Sequence, residues 1–227
     1  MSLISAQNIH KSFGTGSLVI PVLHDISLTV EPGEFLGIMG KSGAGKSTLL
    51  YQLSLLDHPT SGTIIINGTD IAPLKETERT AFRLNTLGYV FQDYALVPDL
   101  NATENVLLPT LMRGASYADA VATAQKSLDE VGLHKKYTNL PNELSGGEQQ
   151  RVAVARAIAG KPRILFADEP TANLDSVSGR SIIDLLTCLN REHHLTIVMV
   201  THEREYANNC HRILHMEDGR LTHEESQ

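Results

Sequence analysis

The 227-residue sequence has no tryptophan, two cysteines and few aromatic residues of any kind. Two cysteines, Cys188 and Cys210, are too few to staple a scaffold, and a chain this long buries enough surface to need no staple. They read as free thiols of a reducing compartment, with no catalytic cysteine expected. Basic residues are also in the minority: 19 Lys and Arg against 26 Asp and Glu give a net charge of −7. With no Lys/Arg run, a nucleic-acid stripe or an anionic-lipid anchor is excluded as a first expectation. Long apolar runs are missing too. The longest, such as Leu195 to Val200, are strand-sized, far short of the roughly 20 residues that span a bilayer. Residues 1–5 lack a basic region followed by an apolar core, which predicts no export. The adjacent pair His193-His194 has no carboxylate or cysteine at ligand spacing and reads as a solvated loop. No internal repeat or low-complexity segment occurs.

What is present centres on residues 34–56. An apolar stretch, Phe35 to Met39, meets a glycine-rich loop and then residues suited to a helix. Gly40 to Ser47 occupies every fixed position of the phosphate-loop pattern, in its required context of strand before and helix after. Gly40, Lys41, Ser42, Gly43, Ala44 and Gly45 form the loop, whose three glycines permit positive φ and close backbone approach. Its N–H groups then face phosphate oxygens at the positive end of the helix. Lys46 supplies a point charge to the β- and γ-phosphates, Ser47 a hydroxyl for Mg²⁺, and Thr48 a hydroxyl for the α-phosphate.

Elsewhere, residues 3–9 and 26–30 predict short strands around a loop containing Gly14, Gly16 and Pro21. Phe13, just before that loop, offers an aromatic face that either stacks on adenine or joins the core. Thr63 to Ile66 predicts a strand, Lys75 to Asn85 a helix, and Gly88 to Phe91 a buried strand that stops at Gln92. Residues 93–115 suit a helical insertion with a partly apolar surface. In it, Tyr94, Leu96, Val97 and Pro98 form either a docking groove or packing against the core. Ser116 to Val131 continues as a helix closed by Gly132.

At Ser145-Gly146-Gly147-Glu148 a capping box opens a helix to about Ala159. Two glycines in a first turn cost about 1 kcal/mol each relative to Ala, and are better explained if an anion approaches the bare N–H groups. Ile164 to Ala167 predicts a strand ending in Asp168-Glu169. At the carboxyl edge of a parallel sheet Asp168 reaches Mg²⁺ and Glu169 the attacking water; the pair also fits an ordinary exposed turn. The strand Leu195 to Val200 brings His202 to the same edge. Residues 212–216 and 220–221 flank Glu217-Asp218-Gly219 as a hairpin, with too few residues after it for an appended regulatory domain.

In this order, the motifs resemble an ABC-type ATP-binding subunit over essentially the whole chain. Leu144 to Gln149 matches the family's signature, Gln92 its Q-loop, Asp168 and Glu169 its Walker B pair, residues 172–175 its D-loop, and His202 its switch histidine. The resemblance implies an α/β P-loop NTPase with a RecA-like core and an antiparallel β portion (1–92 and 161–227), plus a helical subdomain at 93–160. It implies ATP and Mg²⁺ as cofactors, with Gln92 joining Ser47 and Asp168 at the metal and Glu169, His202, Gln92 and Lys46 serving catalysis. Phe13 falls at the A-loop, where many members carry Tyr. Ser145 and Gly147 are implied to bind the γ-phosphate across a head-to-tail homodimer.

Within the family, the loop around Thr15 to Pro21, residues 56–62 and residues 168–175 look like the macrolide-efflux, lipoprotein-release and FtsE-like group. That group implies a separate permease with a large extracytoplasmic domain, contacted through a cytoplasmic coupling helix. The cassette then sits peripherally on the cytoplasmic face of the inner membrane and binds no nucleic acid. Competing expectations are an FtsE-like regulator that transports nothing, a soluble ABC ATPase and a non-hydrolysing switch. Intact Glu169 and His202 argue against the last.

Overall fold

The computed structural model describes residues 2–14, 16 and 18–226. Thr15 and Ser17, in the loop singled out above, lie outside the described residues, as do both terminal residues. The chain begins with β1 (Ile4–Phe13) and β2 (Ile20–Val30), an antiparallel pair whose register shifts at Ala6–Ile9. Asn8 and Asp25 hold left-handed backbone there, at φ 51 and 54, and the Asn8 Nδ2 donates to Asp25 Oδ1 at 2.8 Å. Both strands run longer than expected, because bulges absorb the polar residues that break the period-two pattern. After β3 (Phe35–Met39) and α1 (Lys46–Leu53), β4 (Ser61–Ile66) and β5 (Thr69–Asp70) complete a sheet of order β2-β1-β4-β5.

The remaining elements are α2 (Glu76–Thr86), β6 (Leu87–Val90), α3 (Ala102–Met112), α4 (Tyr117–Glu130), α5 (Gly146–Ile158), β7 (Ile164–Asp168), α6 (Ser176–His193), β8 (Thr196–Thr201), α7 (Arg204–Ala207), β9 (Arg212–Glu217) and β10 (Arg220–Ser226). A second sheet runs β10-β9-β3-β8-β7-β6, parallel except for β10. Every residue of β3, β7 and β8 is buried, as a parallel sheet covered on both faces requires.

Alternation along these strands divides the core in two. Leu36, Ile38, Ile164, Phe166, Val198 and Val200 pack with α1 and the antiparallel sheet. Their neighbours Phe35, Met39, Leu165, Ala167, Ile197 and Met199 pack with the helices on the other face. Successive side chains of a strand point to opposite faces, so one strand serves both layers.

Helices α3, α4 and α5 lie between β6 and β7 in sequence. The insertion opens as a loop rather than a helix: α3 starts at Ala102, capped by Asn101. The buried Asn105 holds that loop, accepting from Val97 N at 2.8 Å and donating to the carbonyls of Val97, Leu100 and Asn101. Strand β6 stops at Val90, so Gln92 stands two residues beyond it. The C-terminal hairpin extends to Ser226, and its turn meets the phosphate loop: Gly219 N donates to Ala44 O at 3.0 Å, and His24 N donates to Gly219 O at 2.9 Å.

Gly40 does not have the positive φ expected of it. A Cβ there would lie 2.2 Å from the Met216 carbonyl oxygen, so the position is closed by backbone that cannot swing aside. Gly40→Ala should therefore destabilise the chain by about 1–3 kcal/mol, a fall of roughly 2–12 °C in Tm for a protein of this size. Thermal melting of the nucleotide-free variant measures this, and an unchanged Tm would show that the loop and hairpin separate freely.

Candidate nucleotide site

Strands β3, β7 and β8 end at one edge, with Met39 beside Thr201 and Asp168 beside Val200. The loop after β3 therefore faces the acidic pair after β7. Gly43 and Gly45 take φ 82 and 95, conformations that an L side chain adopts only with strain. Lys41, Ser42 and Gly43 are exposed at the tip, Ala44 is buried beneath, and Thr48 is half-buried on the first turn of α1.

The Lys46 ammonium is only 4% exposed, and donates to the carbonyls of Gly40 at 2.9 Å and Lys41 at 3.1 Å. The Ser47 hydroxyl donates to Asp168 Oδ1 at 2.8 Å, and the Tyr89 hydroxyl donates to Asp168 Oδ2 at 3.3 Å. Glu169 has left-handed backbone at φ 43, and its N–H donates to Val200 O at 3.0 Å. This places Oε1 3.5 Å from Lys46 Nζ and Oε2 3.1 Å from His202 Nδ1. Lys46, Ser47, Asp168, Glu169 and His202, distant in sequence, form one connected cluster.

Burial pushes the Asp168 carboxyl above its ordinary value, the hydrogen bonds from Ser47 and Tyr89 hold it down in part, and the charge of Glu169 adds to the rise. Burial first, then the charge of Asp168, likewise raises the Tyr89 phenol, so Tyr89 donates and does not ionise. Tyr89 was not singled out from the sequence. Its signal is the pairing of β6 with β7, which sets Tyr89 beside Phe166, and no single-strand pattern reveals a neighbour in the next strand.

The donor set fits a hard divalent cation: a hydroxyl and a buried carboxylate, both oxygen ligands, lie next to a cationic phosphate cradle. The Lys46 charge has one carboxylate at 3.5 Å and otherwise only carbonyls, an environment that polyphosphate oxygens complement.

Two residues stand apart from the cluster. Phe13 is 46% exposed, with Lys11 Nζ 4.8 Å from its ring centroid, so it is not core. Gln92 is exposed, and its backbone oxygen accepts from Asn173 Nδ2 at 2.9 Å. Among the described residues no hydrogen bond joins its side chain to Asp168 or Glu169.

Ser145 caps α5, its hydroxyl accepting from Glu148 N at 3.3 Å and donating to Glu148 Oε2 at 3.0 Å. The Glu148 carboxyl is held low by the Ser145 N–H and by Lys136. These partners share no residue with the phosphate-loop cluster. The two glycines that follow also have a reason inside the chain: a Cβ on Gly146 would lie 3.0 Å from the Tyr94 hydroxyl, and one on Gly147 3.2 Å from Ser178. Close packing thus accounts for them alongside the anion expected from sequence.

A phosphate loop between a buried parallel strand and a helix, facing carboxylates at the end of a neighbouring strand, defines a P-loop NTPase with a RecA-like core. The sequence profile of the ABC transporter family matches residues 23–172. The lipoprotein-releasing system ATP-binding protein LolD of Syntrophotalea carbinolica is 46% identical, the match covering 97% of each chain. The macrolide export ATP-binding/permease protein MacB of Rhodopirellula baltica is 43% identical over 96% of this chain but only 32% of its own length. Among solved structures, the cassette MJ0796, described as a dimer in a post-hydrolysis state bound to ADP and Pi, superposes with a TM-score of 0.91 at 41% identity, covering 98% of each chain. The chain belongs to the ABC transporter family: it is an ATP-binding cassette and an ATPase.

The raised Asp168 carboxyl has a consequence for stability. A carboxyl whose folded pKa exceeds its unfolded one binds protons more readily when folded, so its cost to stability grows as pH rises from the unfolded pKa and is complete above the folded pKa. Asp168→Asn removes that charge, keeping an oxygen for one of the Ser47 and Tyr89 hydroxyls and turning an amide NH2 toward the other. The nucleotide-free variant should melt above the parent at pH 7, with the gap shrinking as pH falls and gone below about 4, the range of an unfolded Asp, even as its ATPase is lost. A lower Tm at pH 7 would mean that attraction to Lys46 outweighs the burial cost.

Proposed function

We propose that this cassette works as a head-to-tail homodimer on the cytoplasmic face of the inner membrane and drives a separate permease that has a large extracytoplasmic domain. What carries the reading is the joined cluster of Lys46, Ser47, Asp168, Glu169 and His202, with a second glycine-rich helix start whose partners are separate. Each ATP would lie between one chain's phosphate loop and its partner's Ser145 and Gly147, with the adenine against Phe13. MacB, named for both ATP-binding and permease activities, contains this chain's counterpart in about a third of its length. No helix among the described residues is long and apolar enough to cross a membrane, which fits a motor whose membrane part is another chain.

In this mechanism the loop N–H groups of residues 40–45 and the hydroxyl of Thr48 hold the phosphates. Ser47 and Asp168, joined by Gln92, would hold Mg²⁺, which would neutralise phosphate charge when bound. Lys46 leaves Glu169 for the γ-phosphate and stabilises charge on the leaving oxygen. Glu169, freed of Lys46 and held through Oε2 by His202, takes a proton from water as that water's oxygen bonds to the γ-phosphorus. The bond to the β-phosphate oxygen breaks, and its electron pair departs on ADP. Glu169→Gln keeps the shape and removes the basicity. Turnover should fall on the order of 10²–10⁴-fold with ATP binding retained; unchanged phosphate release would remove Glu169 from the role.

Residues 93–160 are proposed as the lever, with Gln92 at its root and the permease's coupling helix on its surface. The four residues expected as a docking groove divide. Leu96 packs against the helical-side core and Tyr94 is half-buried, its hydroxyl 3.3 Å from Asn173 O. Val97, 40% exposed, and Pro98 face out. Leu96 is therefore reassigned from the docking surface to the core, and Val97 becomes the probe. Val97→Asp should leave the Tm within about 1–2 °C of the parent, as expected of an exposed position, and weaken pull-down of the permease. A large fall in Tm with permease binding intact would reassign Val97 to the core as well.

A further inference from the structure

The hairpin β9–β10 carries a cluster that takes no part in the reaction. His215 and His223 are directly opposed across the two strands, and Glu225 lies two residues beyond His223, hence on the same face. The two imidazoles stack, with centroids 3.9 Å apart and planes within 8° of parallel. Glu225 Oε1 sits 2.9 Å from His215 Nε2 and 3.5 Å from His223 Nε2. His215 Nε2 is buried, and among the described residues it faces the Glu225 carboxylate as an ion-pair neighbour without a well-formed hydrogen bond. Two imidazoles and a carboxylate on one face of a hairpin are a donor set that a single cation can bind.

We propose that His215, His223 and Glu225 form a binding site for a divalent transition cation, with Zn²⁺ the best match. One ligand atom from each residue lies within 4.8 Å of the other two. Tetrahedral Zn²⁺ with bonds of about 2.0–2.2 Å sets its ligand atoms roughly 3.3–3.6 Å apart, so the exposed His223 ring must swing out of its stack with His215 for both nitrogens to aim at one ion. Two imidazoles and one carboxylate favour Zn²⁺, Cu²⁺ or Ni²⁺ over Mg²⁺, whose preference is oxygen in near-octahedral geometry.

The surroundings supply the supports that metal ligands use. Arg204 of α7 grips Glu225 through both guanidinium nitrogens, at 3.0 Å to Oε1 and 2.5 Å to Oε2, and fixes the carboxylate with Oε1 toward the histidines. Thr222 Oγ1 lies 3.3 Å from His223 Nδ1 and occupies the ring nitrogen that the cation would not use. The site adjoins the part of the hairpin that braces the phosphate loop, since Met216 follows His215 and its carbonyl lies over Gly40. A bound cation would pin β9 to β10 at that brace.

The test uses the full chain without an affinity tag, stripped by chelator and kept in saturating Mg²⁺. Zn²⁺ is titrated by equilibrium dialysis with metal analysis, alongside thermal melts. One Zn²⁺ should bind per chain, and Tm should rise with Zn²⁺ concentration as mass action requires. His223→Ala and His223→Gln alter an exposed side chain, so each should keep the metal-free Tm, lose about tenfold or more in affinity and lose the Zn²⁺-dependent rise. His193→Ala, which removes a His–Glu pair elsewhere in the chain (His193 Nε2 is 2.7 Å from Glu130 Oε1), should leave binding unchanged. Zn²⁺ binding absent up to millimolar concentration, retained at parental affinity in both His223 variants, or abolished by His193→Ala would each overturn the assignment.

Discussion

The structure depends on holding opposite charges out of water at one edge of a parallel sheet. Lys46 and Asp168 are each 4% exposed, and an unpaired charge so buried is costly. Lys46 is satisfied by two loop carbonyls and by Glu169, Asp168 by the hydroxyls of Ser47 and Tyr89. These contacts reach α1, β6, β7 and the loop after β3, so the positions of four segments are tied to the same few polar atoms. The Asp168 carboxyl is nevertheless raised rather than lowered, burial outweighing its hydrogen bonds. On the proposed mechanism, a cation beside Asp168 and phosphate oxygens beside Lys46 would offset that cost of burial.

Everything around that edge keeps it rigid. Two apolar layers grip the sheet from opposite faces, and the phosphate loop is pressed against the C-terminal hairpin by a backbone contact at Gly40 and a hydrogen bond at Ala44. The helical insertion shares the apolar core on the helical face of the sheet, where Val106, Leu128 and Val154 belong to one buried cluster with Leu165 and Ile182. At its root it is also tied by hydrogen bonds, Asn173 Nδ2 donating to Gln92 O and the Tyr94 hydroxyl donating to Asn173 O.

Much of this was legible in the residues. The phosphate loop announces itself because its chemistry fixes residue types at fixed spacing, and the buried strands because parallel pairing demands near-continuous apolar runs. The capping box at Ser145 is a local device, written in four consecutive residues. The misses share a cause. Strands β1 and β2 were read short because bulges at Asn8 and Asp25 hide their period. Leu96 was left between a docking groove and packing against the core because one side chain in a loop carries no periodicity to show which way it points.

The sequence by itself determined the reaction class, the family and the residues expected to meet phosphate, since these rest on short-range spacing that any fold of the chain preserves. The tertiary structure alone decided which of those residues touch: that Ser47 and Tyr89 share Asp168, that His202 and Lys46 share Glu169, and that His215, His223 and Glu225 converge. The physical reason is register. A contact between strands depends on how they are paired and on which face each side chain takes, and a shift of one residue would send Tyr89, Asp168, His215 or His223 to the opposite side of the sheet.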